Sequence, residues 1–333
     1  MTEQEKMDCL RDQERHLNQA KAEREFMKTN IAKCKELLKG SGVDLLRPRT
    51  RCSLKGSVHY SYDYAQQVHI PSNPQQPGPL YLKTPRKGGL FGVCCEGIPR
   101  QVNYLIDEAV YVGKGANSTM SYVHDFFESH GAGETDVHIN ADNCGGQNKI
   151  NYVIWYYCRR VLCRMHDSIL YSFLIAGLTK FSPDWCFGLT KQSFRRRFVS
   201  SLFDLMEVVD KSTSVKGVNI AKLCGLHDGT VLVPVYDWVT FFEPYFKKIP
   251  GISNFHHFRF PKEHPGMVFC RTHVHSPEIE FQILKDPAVK PPAHNLPRVI
   301  VPVGLNEERK RYLYREIRNF CRPGTENLVA PAP

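Results

Sequence analysis

Three widely spaced aspartates could bind divalent cations if folding brings them together: Asp63, Asp142 and Asp184. Carboxylates are the hard oxygen ligands that such cations prefer. A pair of cations held in this way positions a water or a 3′ hydroxyl and stabilises the leaving oxygen in phosphodiester chemistry. We therefore take the three aspartates as candidate catalytic and metal-binding residues, with Mg²⁺ or Mn²⁺ as the expected cofactor.

Each of these acids also has a structural interpretation, and the residues alone leave both interpretations open. Asp63 could be a hydrogen-bonded strand residue, and Asp142 could form an Asx turn before the glycine pair that follows it. Asp184 near a helix start is favoured by the helix dipole without any metal. Asp107 and Glu108 are further acids that could replace one of the three.

The first aspartate lies in a segment that alternates with a period of two, which predicts a strand. One face would carry Val58, Tyr60, Tyr62 and Tyr64, and the other Ser57, His59, Ser61, Asp63 and Ala65. The pieces LYLK, GLFGV and VNYLIDE predict further hairpin-linked strands. This part of the chain therefore predicts a mostly antiparallel meander with Asp63 on its polar face.

The other two aspartates lie in an alternation of helices and strands. A helix is predicted over GANSTMSYVHDFFESHG, and the next strand delivers Asp142 at its C-terminal end. A helix from Lys149 to Leu162 and the apolar strand SILYSFLIAG follow. Ser182 as N-cap and Pro183 as the first helical residue predict the helix that carries Asp184.

This order of elements is that of a ribonuclease-H-like core, an α/β fold with a mixed five-stranded sheet and helices on both faces. We expect that core at residues 55–204, after a charged helix and basic linker at 1–50. A small β-rich unit is expected at 205–285, and a proline-rich linker with a basic helix at 286–333. The N-terminal helix is long and charged, and it offers a means of forming a homo-oligomer.

A net charge of +10 and a pI near 9.0 favour a polyanionic partner. We expect nucleic acid, with DNA as the preferred form, although a run of charges is also typical of an ordinary solvated face. The candidate nucleic-acid-binding residues are Lys83, Arg86, Lys87, Lys149, Lys191, Arg195, Arg196 and Arg197.

Location is predicted from what the sequence lacks. It has no run of eighteen apolar residues and no apolar signal segment in MTEQEKMDCLRDQERHL, which predicts neither a membrane span nor export. The twelve cysteines are scattered through apolar segments, as reduced core cysteines are. We expect an intracellular protein, located in the nucleus.

The blocks YSYDYAQQVHIP, YLIDEAVYVGKGAN, HINADNCGGQNK, IAGLTKFSPDWCFGLTKQ, VPVYDW and HHFRF resemble an uncharacterised, transposon-associated domain family of animal genomes. The resemblance covers residues 55 to 285, and ADNCGGQNK and SPDWCFG are its most specific parts. It implies a core similar to ribonuclease-H-like transposases or integrases. It also implies that the acids of that core correspond to Asp63, Asp142 and Asp184.

Two departures from the resembling family leave two functions open. Relatives usually carry His where this chain has Leu178, and some carry Glu where it has Lys191. With an intact site, the chain would be a transposon-derived nucleic-acid-binding protein that cleaves or transfers phosphodiester strands. With a degenerate site, it would be a catalytically inactive, domesticated module that binds nucleic acid or chromatin.

Overall fold

The computed structural model describes residues 2–75, 78–175 and 181–333, so Leu178 lies outside the described residues. The strands in these ranges are β1 (Leu54–Tyr64), β2 (Val68–Ile70), β3 (Arg86–Cys95), β4 (Arg100–Asp107), β5 (Glu134–Ala141), β6 (Ser168–Phe173), β7 (Asn219–Leu223), β8 (His257–Pro261), β9 (Met267–Arg271) and β10 (Ile279–Gln282). The α-helices are α1 (Glu3–Gly40), α2 (Gly78–Tyr81), α3 (Ala116–His130), α4 (Asn151–Leu162), α5 (Ser182–Arg195), α6 (Leu202–Asp210), α7 (Trp238–Phe242), α8 (Glu307–Tyr312) and α9 (Glu326–Val329).

The described strands form one mixed sheet in the order β10-β9-β8-β6-β5-β1-β3-β4-β7, with β2 paired to β3. Pairing is parallel for β1 with β5, β5 with β6 and β4 with β7, and antiparallel elsewhere. The expectation of a mixed α/β fold with flanking helices is therefore confirmed. The expected strand number was wrong, because ten strands of the described residues, rather than five, share the sheet.

The additional strands come mainly from the stretch expected to form a small β-rich unit. Strand β8 bonds to β6 in antiparallel fashion, and β9 and β10 continue outward from it. Strand β7 bonds to β4 at the opposite edge. The sequence could not reveal this continuation, since strand pattern predicts which residues are extended but not which edge they join.

The long N-terminal helix is confirmed as α1, which begins with a capping box between Thr2 and Glu5. Its first half is exposed, and its first buried residue is Ala20. Cys34 and Leu38 in its second half are fully buried against the sheet. No helix in the described residues is long and apolar enough to cross a membrane.

The predicted alternation of β1 separates two packing environments. Tyr60 packs edge-on against Phe126 of α3, and the Tyr62 hydroxyl lies 2.6 Å from that of Tyr171. On the opposite face, the His59 ring bonds to Asn140 at 2.7 Å. Helices α3 and α4 cover the aromatic face, with α7 packed on them, whereas α1 and α5 cover the polar face that includes Asp63.

Candidate functional site

Asp63 and Asp142 lie at the carboxyl ends of two neighbouring parallel strands. Tyr62 of β1 pairs with Ala141 of β5, and the two aspartates are the next residue in each segment. In open α/β sheets, ligands bind at the carboxyl ends of strands. The structure thus brings two residues that are 79 positions apart in the sequence to the same end of neighbouring central strands.

The Asp63 carboxyl is perturbed by its surroundings. Its pKa is raised to about 7, first by burial, then by the negative charge of Asp142, and to a smaller extent by that of Asp184. The Tyr64 N–H, which donates to Asp63 Oδ1 at 2.7 Å, and the Lys114 ammonium act in the opposite direction. The charges of Asp142 and Asp184 therefore both act on the Asp63 carboxyl.

Asp142 is held by the turn that follows β5. Its Oδ1 accepts from the Cys144 N–H at 3.3 Å, which is the Asx-turn bond, and from the Asn148 side-chain amide. Asn148 is 1% exposed, and its own Oδ1 has no hydrogen-bond partner within the described residues. A buried amide oxygen normally has a partner, so this free acceptor beside Asp142 marks a place where a ligand or water would bind.

Asp184 lies in the first turn of α5 and is exposed to solvent. Its Oδ2 accepts from the Phe181 N–H at 3.2 Å, so that the side chain caps its own helix. Pro183 next to it provides the fixed φ that suits a helix start. The structural interpretation given to each aspartate is thus present as a local hydrogen bond.

The oxygen atoms at the carboxyl ends of β1 and β5 are of the kind that a hard cation prefers, since they belong to carboxylates and an amide. Within residues 2–75, 78–175 and 181–333, no group of three or more His, Cys, Asp or Glu side chains is arranged so that it could hold a metal ion.

Sequence reasoning missed Glu96, an acid that lies directly after β3 and is 4% exposed. It accepts hydrogen bonds from the hydroxyls of Ser61 on β1 and Ser182 on α5. Its pKa is raised because burial disfavours its charged form. The available signal was its place immediately after an apolar strand, where an unpaired acid is uncommon.

Two of the candidate nucleic-acid-binding residues are buried in the structure. Arg86 is 1% exposed and forms an ion pair with Asp107, a carboxylate that also accepts from the Ala109 N–H at 2.8 Å. Lys149 is 6% exposed, and its Nζ donates to the Ser253 carbonyl at 3.0 Å. We correct the expectation that these two side chains face a nucleic-acid groove, because neither is available at the surface.

The remaining basic candidates differ in their exposure. Lys83 forms an ion pair with Glu316. Lys87 is half-buried, and its main-chain N–H donates to Glu108 Oε2 at 2.8 Å.

Helix α5 ends in the other basic candidates. Lys191, Arg195 and Arg196 are exposed, and Arg197 is half-buried. In the part of the chain that the structure describes, none of these four side chains forms an ion pair with a carboxylate. This end of α5, which we call the basic end, is therefore available to a partner.

A protein-family model described as "Domain of unknown function (DUF7869)" matches residues 87–277, which is more than half of the 333 residues. The matched range includes Glu96, Asp142 and Asp184, whereas Asp63 lies before it. No curated protein and no solved structure matches the chain. The chain belongs to the DUF7869 family.

Proposed function

We propose that this member of the DUF7869 family is a transposon-derived protein that binds nucleic acid and carries a ribonuclease-H-like core. Support comes from the order of elements in the centre of the sheet. Three antiparallel strands, β1, β3 and β4, precede two parallel strands, β5 and β6, and helices connect the parallel ones. The motif blocks that resemble a transposon-associated family span the same elements.

We further propose that Asp63, Asp142 and Asp184 form a site for phosphodiester cleavage or strand transfer. The observation that carries this proposal is the pair of acids at the ends of β1 and β5, where the pKa of Asp63 is raised to about 7. Strongly perturbed acids at the end of a sheet are typical of functional sites, because structural acids are usually exposed or paired.

In this proposal the three aspartates would hold Mg²⁺ or Mn²⁺, and the cation would supply activation of the attacking oxygen and stabilisation of the leaving oxygen. Asn148 orients Asp142 through its side-chain amide. Because the pKa of Asp63 is raised to about 7, this side chain is partly protonated at neutral pH, and its carboxylate becomes available as the pH rises above 7. The basic end of α5 would bind phosphates at the opposite end of the helix that carries Asp184.

The proposal is tested with purified protein on labelled single-stranded and duplex DNA and on RNA. We expect nicking or cleavage only with Mg²⁺ or Mn²⁺, and its loss in Asp142→Ala. Gln13→Ala, on the exposed half of α1, is the control that should keep the activity. If the unchanged protein is inactive on every substrate with either cation, the catalytic proposal fails.

The second candidate is a catalytically inactive, domesticated module that binds nucleic acid or chromatin. It is favoured by the basic end of α5, where Lys191 is exposed at the position that some resembling relatives fill with Glu. The test is to introduce Leu178→His and Lys191→Glu together. Salt-sensitive DNA binding without any gain of cleavage in this double variant would support this candidate, and metal-dependent cleavage by the unchanged protein would reject it.

We also propose that the protein acts in the nucleus and pairs through α1. Met7, Leu10 and Leu17 recur on this helix at helical spacings and are exposed by 48%, 60% and 60%. Light scattering should report a dimer that becomes a monomer in the double variant Leu10→Asp and Leu17→Asp. A monomer in the unchanged protein would contradict the pairing.

A further inference from the structure

Glu96 connects two elements that carry different aspartates of the proposed site. Its main-chain N–H donates to the His59 carbonyl at 2.9 Å, which fixes the residue to β1. One carboxylate oxygen accepts from the Ser61 hydroxyl, and the other accepts from the Ser182 hydroxyl at 2.5 Å. The carboxylate therefore bridges β1 and the first residue of α5.

The two serines have the same relation to the two aspartates. Ser61 lies two residues before Asp63 in β1, so both side chains are on the same face of the sheet. Ser182 lies two residues before Asp184, within the first turn of α5. The position of Glu96 is thus transmitted to both aspartates over a short stretch of regular backbone.

Burial of this carboxylate has an energetic cost. Glu96 is 4% exposed, and no Lys, Arg or His forms an ion pair with it in the described ranges. A buried acid that is satisfied only by hydroxyls adds little to stability compared with an apolar residue of similar size. Such a residue is more easily explained by the geometry that it imposes than by the stability that it contributes.

We propose that Glu96 is a positioning residue, which fixes the start of α5, the helix that carries Asp184, to β1, the strand that carries Asp63. This inference rests on the proposed cation site. It assigns Glu96 no contact with substrate or metal. Its effect acts through the two serines, each of which supplies one of the two hydrogen bonds.

The experiment is a titration of the full-length protein with Mn²⁺, in which electron paramagnetic resonance measures the free ion. We expect Glu96→Ala to weaken Mn²⁺ binding at least tenfold, because α5 loses its link to β1. Glu96→Gln keeps one carbonyl oxygen as an acceptor and should weaken it only a few-fold. Ser182→Ala removes one of the two hydroxyls that donate to Glu96, and it provides the test if Glu96→Ala does not fold.

Glu23→Gln is the matched control, since Glu23 is a buried carboxylate that links α1 rather than α5 to the sheet. It should leave Mn²⁺ affinity unchanged at a comparable loss of thermal stability. If the unchanged protein binds Mn²⁺ and both Glu96→Ala and Ser182→Ala bind it equally strongly, the role of Glu96 is overturned but the site is not. No Mn²⁺ binding by the unchanged protein would overturn the proposed site itself, and with it this role.

Discussion

The two faces of the central sheet are buried to a similar extent but are built from different chemistry. On the aromatic face, Phe91 packs against Tyr62 at 5.5 Å between ring centroids. On the polar face, Ser172 lies 2.9 Å from a ring nitrogen of His138 and 2.9 Å from one of His257. All of these side chains are less than 5% exposed.

The polar face extends from the sheet to helix α1. His257 Nε2 lies 2.9 Å from Glu23 Oε2 of that helix, and the rings of His59 and His138 stack at 4.3 Å. Burial lowers the pKa of His59 to about 4 and that of His138 well below its ordinary value. His59 and His138 are therefore neutral at physiological pH. The hydrogen bond of each ring depends on one partner, which is Asn140 for His59 and Ser172 for His138.

The two faces contribute differently to the stability of the fold and to its proposed function. Apolar area and aromatic contacts stabilise one face without requiring a unique partner for each group. The other face buries polar groups, which cost free energy unless every hydrogen bond is made. The acids of the proposed site lie at the end of this second face, so their geometry depends on its hydrogen bonds.

The largest effect should come from breaking the aromatic face. Phe91→Ala removes a side chain that is 0% exposed and contacts four tyrosine rings. We expect a loss of about 3–5 kcal/mol in the free energy of unfolding, measured with urea. Leu82→Ala, at a position 87% exposed, should change it by less than about 0.5 kcal/mol. Equal losses in the two variants would contradict the assignment of the core to this face.

Breaking the polar face at Ser172 should have a smaller effect. Ser172→Ala leaves the buried rings of His138 and His257 without their common partner, which we expect to cost about 2 kcal/mol in the free energy of unfolding. Ser172→Thr keeps the hydroxyl and should lose less. If Ser172→Ala is as stable as the unchanged protein, the hydrogen bonds of this face do not contribute to stability as we describe.

Asp63→Asn, unlike the two preceding substitutions, should raise the free energy of unfolding at alkaline pH. The folded-state pKa of Asp63 is about 7, above its value in the unfolded chain, so the folded state binds more protons between pH 4 and 7. The stability that this residue contributes is fully present below pH 4 and is lost as the pH rises through 7.

Unfolding in urea should therefore show Asp63→Asn more stable than the unchanged protein by about 1–2 kcal/mol at pH 8, after allowance for partial exposure. At pH 4 the two proteins should agree within error. The same difference at both pH values would mean that the Asp63 pKa is not raised by folding.

The smallest effect on stability should occur at the basic end of α5. Lys191→Ala combined with Arg195→Ala should change the free energy of unfolding by less than about 0.5 kcal/mol, because both side chains are exposed. DNA binding should weaken, and the slope of log K against log salt should become shallower by about 1 for each phosphate that the variant no longer neutralises. Unchanged DNA affinity in this variant would exclude these residues from the interface.

Much of the fold could be predicted from local pattern. The alternation in β1 predicts its two faces, and the pair Ser182 and Pro183 predicts the start of α5 to within one residue, since the N-cap is Phe181 rather than Ser182. Local pattern also predicts that Asp142 follows a strand. These features depend on neighbours within a few residues, which the sequence displays directly.

Other features of the candidate site could not be predicted in this way. The basic segment that includes Arg86, the first residue of β3, has the composition of a phosphate-binding surface, yet Arg86 is enclosed by Asp107 and the carbonyls of Leu328 and Val329. The two carbonyls come from the end of the chain, more than 240 positions away. Burial of a charge is decided by what packs over it, which composition does not record.

The sequence by itself determined the α/β class, the long N-terminal helix, the strand that bears Asp63 and the excess of positive charge. Only the tertiary structure decided that β8, β9 and β10 extend the central sheet, that Glu96 bridges β1 to α5, and that Asp63 lies near Asp142. The physical reason is range. Backbone periodicity and capping act over a few residues, whereas burial, proton affinity and strand pairing depend on groups that meet only when the chain has folded.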